Sequence, residues 1–374
     1  MNIDILLVAL VTSLATSLIG VFLVLRRLSM MTDAIAHTVL LGIVLMYMVV
    51  RDLNSPWLLV GATLSGVFTV WLIELMRRIR LVKEDAAIGM VMTFLFSVAI
   101  ILISTRLRNV HLHIDTVLLG QLEFVMFERT LIFGRSVPTS LVTMSVVLML
   151  NALFVGLFYK EYKLLSFDRT LSFLLGFSPW LLHYLFMTLI SLTAVAAFNA
   201  VGAIMVIAFM VGPVMTARLL SDRLPTLIAL TLSVAFINTL VGYVIAFRFD
   251  LNTAASMATV TLAHFMVMFV VSPKHGFIFN MWRTHHQKHR LQLLTLITHL
   301  SHHQETKEAA VECDPKTLHH HFNWSFIKMQ WVLTRAQKYD YIQEKNAMMI
   351  VTAKGHQFFN DATRMKEATL HEPR

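Results

Sequence analysis

Nine apolar runs, each about as long as a helix that crosses a bilayer, leave this chain few folds to choose from. The hydrocarbon of a bilayer is about 30 Å thick and an α-helix rises about 1.5 Å per residue, so one crossing takes roughly 20 mostly apolar residues. Such runs fall near residues 4–25, 31–50, 57–76, 86–104, 138–158, 180–198, 201–217, 226–247 and 252–272. The seventh contains Gly202, Gly212 and Pro213 and also fits a broken or re-entrant segment, which would leave eight crossings. Hydrophobic residues make up 57% of the chain and charged ones only 14%. A soluble domain has about 45–50% and about 25%, so a soluble enzyme and a disordered chain are both excluded. The expectation is an all-α polytopic membrane protein.

Basic residues at the ends of the runs predict orientation. If the first helix runs inward, twelve Lys and Arg flank the runs on the inner side, from Arg26 and Arg27 to Lys274, against six outside, from Arg51 to Arg248. The N-terminus is therefore expected outside and the C-terminus in the cytoplasm. Met1-Asn2-Ile3-Asp4 carries no basic residue, which argues against a cleaved leader. The net charge of +9 sits in loops and tail, where lipid phosphates could meet it.

Composition changes after Pro273. Residues 275–374 hold 12 of the 17 histidines and charges of mixed sign, as expected of a cytoplasmic appendage. We divide the chain into a transmembrane part, 1–278, and a tail domain, 279–374. The pattern predicts helices near 288–302, 315–321 and 324–337, strands at 341–343 and 348–351, and a last helix from about Lys354. Three helices followed by a hairpin is the order of a small α+β winged helix. DNA binding by this tail is not favoured, because Trp324, Phe326, Trp331 and Leu333 read as core on the helix that would contact DNA. The one cysteine, Cys313, excludes an intramolecular disulfide.

Ionisable side chains inside membrane spans are costly, on the order of 2.5–3.5 kcal/mol for a mid-helix Asp, so their positions carry information. Asp33 and His37 stand four residues apart at the start of the second run, on one helical face. Together they offer a hard oxygen and a borderline nitrogen, a set suited to Mn²⁺, Fe²⁺ or Zn²⁺. The same spacing equally fits an ion pair favoured by the helix N-terminal dipole. His183, Asn199, Asn238 and His264 read as hydrogen-bond partners between helices, and Glu74 as half of a solvated pair with Arg77 or Arg78. No Walker loop, His-Glu-x-x-His or Gly-x-Ser-x-Gly motif is present, so nucleotide energy would have to come from another chain.

Four blocks, in order, resemble the membrane permeases of bacterial ABC importers for manganese, zinc and iron. They are Asp33-Ala34-Ile35-Ala36-His37 with Leu40-Leu41-Gly42; Glu84-Asp85-Ala86-Ala87-Ile88-Gly89; Ser166-Phe167-Asp168 with Leu174 to Ser178; and Ala200 through Pro213 to Leu220. The resemblance covers about residues 1–278. It implies two permease chains, identical or not, around a metal path, with cytoplasmic ABC ATPases below and an extracytoplasmic metal-binding protein above. It implies that Asp33 and His37 contact the metal in transit, and that Phe167, Asp168, Leu175, Gly176, Phe177 and Ser178 belong to the segment that docks on the ATPase. No permanently bound cofactor is implied; the divalent metal is the substrate. The chain departs from the family in Ala36, where Ser is common, and in its long tail.

Two other readings compete. A proton-coupled secondary metal transporter, working through Asp33, His37 or His264, would need no docking segment. A membrane-anchored, metal-responsive regulator would not need so many spans. In the tail, His285-His286, His302-His303 and His319-His320-His321 read as solvated surface, because neighbouring histidines on a helix point in different directions.

Overall fold

Helix α1 (Ile3–Leu25) is followed by α2 (Ser29–Val50), α3 (Trp57–Arg78) and α4 (Glu84–Arg106). A short antiparallel hairpin, β1 (Arg129–Ile132) and β2 (Arg135–Pro138), leads into α5 (Thr139–Leu157). Then come two short helices, α6 (Tyr159–Phe167) and α7 (Arg169–Leu174), and four long ones: α8 (Pro179–Val201), α9 (Ala203–Leu220), α10 (Leu224–Phe249) and α11 (Thr253–Val271). This computed structural model describes residues 3–52, 55, 57–78, 82–106, 122, 125, 128–132, 135–167, 169–273, 276–304, 309–345 and 348–361. Among them, nine helices are long and apolar enough to cross a membrane. The chain divides into two compact units, Met1–Phe277 and Ile278–Arg374.

In the first unit α1 lies at the centre, packed against α5, α8, α9 and α10. Lipid tails are as apolar as leucine, so association between spans relies on close packing and hydrogen bonds. Both are present around α1. Ser13 donates to the Ala235 carbonyl at 3.3 Å, Ser17 to the Phe209 carbonyl at 2.8 Å, and Asn151 to the Ala15 carbonyl at 3.0 Å. Gly20 lets the backbone of α9 approach so closely that a Cβ there would overlap the Met210 carbonyl. Arg129 on the hairpin, which the sequence pattern did not predict, pairs with Asp4 at the start of α1.

The break in the seventh apolar run falls on Gly202, whose φ of +83° ends α8 and begins α9. That conformation suits glycine and few other residues. Beyond it α9 is continuous through Pro213.

In the second unit, α12 (Phe277–His303) is followed by the short helices α13 (Ala309–Glu312) and α14 (Leu318–His321), then α15 (Phe326–Lys338). Strands β3 (Ile342–Lys345) and β4 (Met348–Val351) pair with Ile342 opposite Val351, and a helix spans 353–361. Among the described residues this sheet has two strands. Leu293, Leu296, Ile297 and Leu300 of α12 meet Cys313, Leu318 and the α15 residues Met329, Val332, Leu333 and Ala336 in one core. The last four follow i, i+3, i+4, i+7, one face of a helix. Trp331 and Phe326, expected inside, are instead largely exposed, because they fall off that face. Trp331 stacks on His289 and lies under the Arg335 guanidinium.

Candidate functional site

Helix α2 is held against its neighbours by one side and carries Asp33 and His37 on another. Gly42 packs on Gly61, Ala62 and Ser65 of α3. Ser65 donates to the Thr38 carbonyl and Thr69 to the Thr38 hydroxyl, each at 2.7 Å. Thr32, one residue before Asp33, reaches the Met210 sulfur on α9 at 3.5 Å. These contacts fix the helix in rotation, which keeps Asp33 and His37 off the packed face.

Asp33 Oδ1 and His37 Nε2 are 3.6 Å apart, and their side chains are 44% and 34% exposed. Two ligands of a tetrahedral zinc, bonded at about 2.0–2.1 Å, stand about 3.3 Å apart, so a small rotamer change would let this pair share an ion. The ring of Phe96 on α4 meets His37 edge-on at 5.6 Å and limits the imidazole's swing.

The segment from 159 to 178 combines anchoring and exposure. Tyr162 is buried among Phe22, Phe154, Phe158 and Phe186, and its hydroxyl donates to the Leu182 carbonyl at 2.5 Å. Burial pushes its phenol far above the usual range, which keeps that donor protonated. Past this anchor the chain presents apolar side chains outward, with Leu174 and Leu175 73% and 60% exposed. Gly176 turns the chain with φ +84°, and Phe177 follows on the surface. Ser178 then caps α8 by accepting from the Leu181 N–H, with Pro179 in the first turn. Asp168 lies outside the described residues, and Phe167 is described only as the last backbone position of α6.

A polar cluster joins α3, α8 and the end of α1. His183 Nε2 is 2.6 Å from Glu74 Oε1, Tyr184 donates to Glu74 Oε2 at 2.6 Å, and Arg26 approaches His183 Nδ1 at 2.7 Å. Arg26 can only donate, so His183 accepts at Nδ1 and carries its proton on Nε2, facing Glu74. Glu74 is thus engaged between helices, and Arg77 pairs with Glu84 at 3.3 Å instead. The available signal was two ionisable residues in separate apolar runs, which membrane burial favours pairing. Elsewhere His264 meets Asn238 at 2.6 Å, while Asn199 is exposed.

These features define a multi-pass helical membrane protein of transport type, with an ionisable pair at the start of one helix and an apolar protrusion between two others. The match to the ABC 3 transport family over residues 2–272 places it more narrowly: the chain belongs to that family. It is a transport subunit and not an enzyme. It is 39% identical over 355 residues to the zinc transport system membrane protein TroD of Treponema pallidum, covering 95% of this chain and 97% of that one. The manganese transport system membrane protein MntD of Bacillus subtilis is 38% identical over 268 residues, covering 71% and 90%. A chain of the PsaBC structure from Streptococcus pneumoniae, in complex with Fab, superposes with a TM-score of 0.61 at 26% identity, covering 73% and 92%. The TroD alignment necessarily runs deep into the second unit, so the long tail is shared with at least one relative.

Proposed function

We propose that this chain is the permease subunit of an ATP-driven importer of a divalent transition metal: zinc, manganese or iron. Asp33 and His37 contact the ion in transit, and a second permease chain completes the path. Residues 167–178 dock on a cytoplasmic ABC ATPase, and an extracytoplasmic binding protein delivers the metal. The N-terminus lies outside and the tail in the cytoplasm, as the basic-residue bias favours. The order of elements in 278–374 supports reading the tail as a winged-helix-like appendage.

The observation that carries this reading is the half-exposed carboxylate–imidazole pair, 3.6 Å apart, on a helix locked by its other faces in a member of the ABC 3 family. The exposed Leu174, Leu175 and Phe177 support the docking role, because a secondary carrier has no use for such a protrusion. The test is metal uptake by proteoliposomes holding the permease with its ATPase. Asp33→Asn, which keeps shape and removes charge, and His37→Ala are each expected to abolish ATP-dependent uptake in protein that inserts normally. Full uptake by either variant refutes the ligand role, and uptake that persists without any ATPase favours the proton-coupled carrier.

A further inference from the structure

The second unit brings together side chains that are far apart in its sequence pattern. Among the described residues, His299, His303 and Glu312 each offer a ligand atom, all within 4.8 Å of one another. His299 and His303 lie one turn apart on α12, with ring centres 4.6 Å apart. Glu312 comes from α13, with Oε2 3.3 Å from His299 Nε2, and His321 on α14 places Nδ1 3.4 Å from the same oxygen. Those two separations already match the roughly 3.3 Å edge of a tetrahedral zinc site. Phe322 packs edge-on against His299, and Leu296, Leu300 and Leu318, neighbours in sequence of these ligands, belong to the unit's buried apolar core.

We propose that the second unit holds one divalent transition-metal ion on His299, His303 and Glu312, with His321 as the fourth ligand at the rim. A hydrogen-bonded cluster without metal would satisfy one carboxylate with one or two imidazoles. Here three imidazoles from two helices converge on it, with the side chains of His299 and His321 17% and 30% exposed, so an ion can enter from the His321 side. Three nitrogens and one oxygen form a borderline donor set that suits Zn²⁺, and also Co²⁺ or Fe²⁺, better than Ca²⁺ or Mg²⁺. His299 Nε2 also lies 3.1 Å from the Glu312 carbonyl, so an ion taking that nitrogen displaces the proton shared there. The site does not depend on the transport reading.

The test uses the full chain in detergent, purified without a histidine tag, stripped with chelator and carrying His37→Ala to remove the pair on α2. Titration with ZnCl₂ against a competing chelator is expected to find one tight equivalent. Glu312→Gln, which keeps the shape, and His299→Ala with His303→Ala are each expected to weaken it more than about tenfold, since loss of even an outer-shell partner costs that much. His285→Ala with His289→Ala, an exposed pair whose Nε2 atoms lie 2.8 Å apart, is expected to leave it unchanged. Equal affinity in all variants, or loss only with His285 and His289, overturns the proposal. Zinc X-ray absorption on the His37→Ala chain needs no further variant: a shell with two or three imidazoles is expected, and a shell of water oxygens alone refutes the site.

Discussion

His183 on α8 stands 2.6 Å from Glu74 on α3, five residues beyond Ser178 and thus at the root of the exposed 174–178 protrusion. The contact links the helix that leaves the protrusion to α3, the helix packed on the Thr38–Gly42 side of α2. Both partners are mostly buried, with Arg26 behind them. Removing one member leaves the other's buried donor or acceptor unsatisfied, at a cost of about 1–3 kcal/mol. Glu74→Ala is therefore expected to lower thermal stability in detergent sharply, and Glu74→Gln less. A double-mutant cycle with His183→Gln should give a coupling above about 1 kcal/mol. Additive effects would remove the link.

Gly176 separates space from conformation. A Cβ built there meets nothing within 4 Å, yet φ is +84°. Gly176→Ala is expected to cost only about 1–2 kcal/mol of local strain and to leave most metal-stimulated ATP hydrolysis in the assembled complex. Gly176→Arg adds bulk and charge to the proposed docking surface and is expected to abolish that hydrolysis while membrane insertion stays normal. Equal activity of the two variants would exclude a close contact at this turn.

Gly42 governs the approach of α2 to α3. A Cβ there would overlap the Gly61 carbonyl oxygen and lie 2.6 Å from the Ser65 Cβ. Gly42→Ala should destabilise by about 1–3 kcal/mol, and Gly42→Leu should yield little monodisperse protein by size exclusion. Gly89→Ala and Gly156→Ala, where the space is open, serve as controls and should behave like the parent chain.

Cys313 reports on the second unit. It is 1% exposed, and burial, aided by the Glu312 charge, pushes its thiol above the ordinary value of 9.0. Little thiolate forms at neutral pH, so iodoacetamide should label the folded chain slowly and the denatured chain fast. Because the folded value is raised, this group's contribution to stability is complete below the unfolded pKa. It is lost as pH rises through the folded one, and labelling should accelerate over the same alkaline range. Rapid labelling of the folded chain at neutral pH would contradict the buried placement.

Hydropathy alone located the membrane helices, because a 20-residue apolar run has no alternative in a bilayer. Spacing alone put Asp33 and His37 on one face, since four residues is one helical turn. Interhelical partners were a different matter. Glu74 and His183 are 109 positions apart, and only the packing of α3 on α8 brings them together. In the tail, the adjacent histidine pairs are the conspicuous pattern, whereas the cluster rests on the i, i+4 spacing of His299 and His303, which His285 and His289 share without a carboxylate between them. The exposure of Trp331 was missed for a related reason: residue type suggested core, while its phase on α15 relative to Met329, Val332 and Ala336 put it outside.

Gly202 carries a consequence for which side of the membrane the rest of the protein is on. Helix α8 has 23 residues and α9 has 18, and as one unbroken rod they would extend about 60 Å, twice the thickness of the hydrocarbon they must fit. The corner at φ +83° divides that rod into two pieces, each of bilayer length. Were the corner straightened, the membrane-length helices among the described residues would number eight instead of nine, an even count in place of an odd one. Every segment after Leu220, including the whole second unit with its histidines, would then emerge on the opposite face. A single backbone dihedral at a residue without a side chain thus sets whether the chain after Leu220 continues from the same side of the bilayer or from the other.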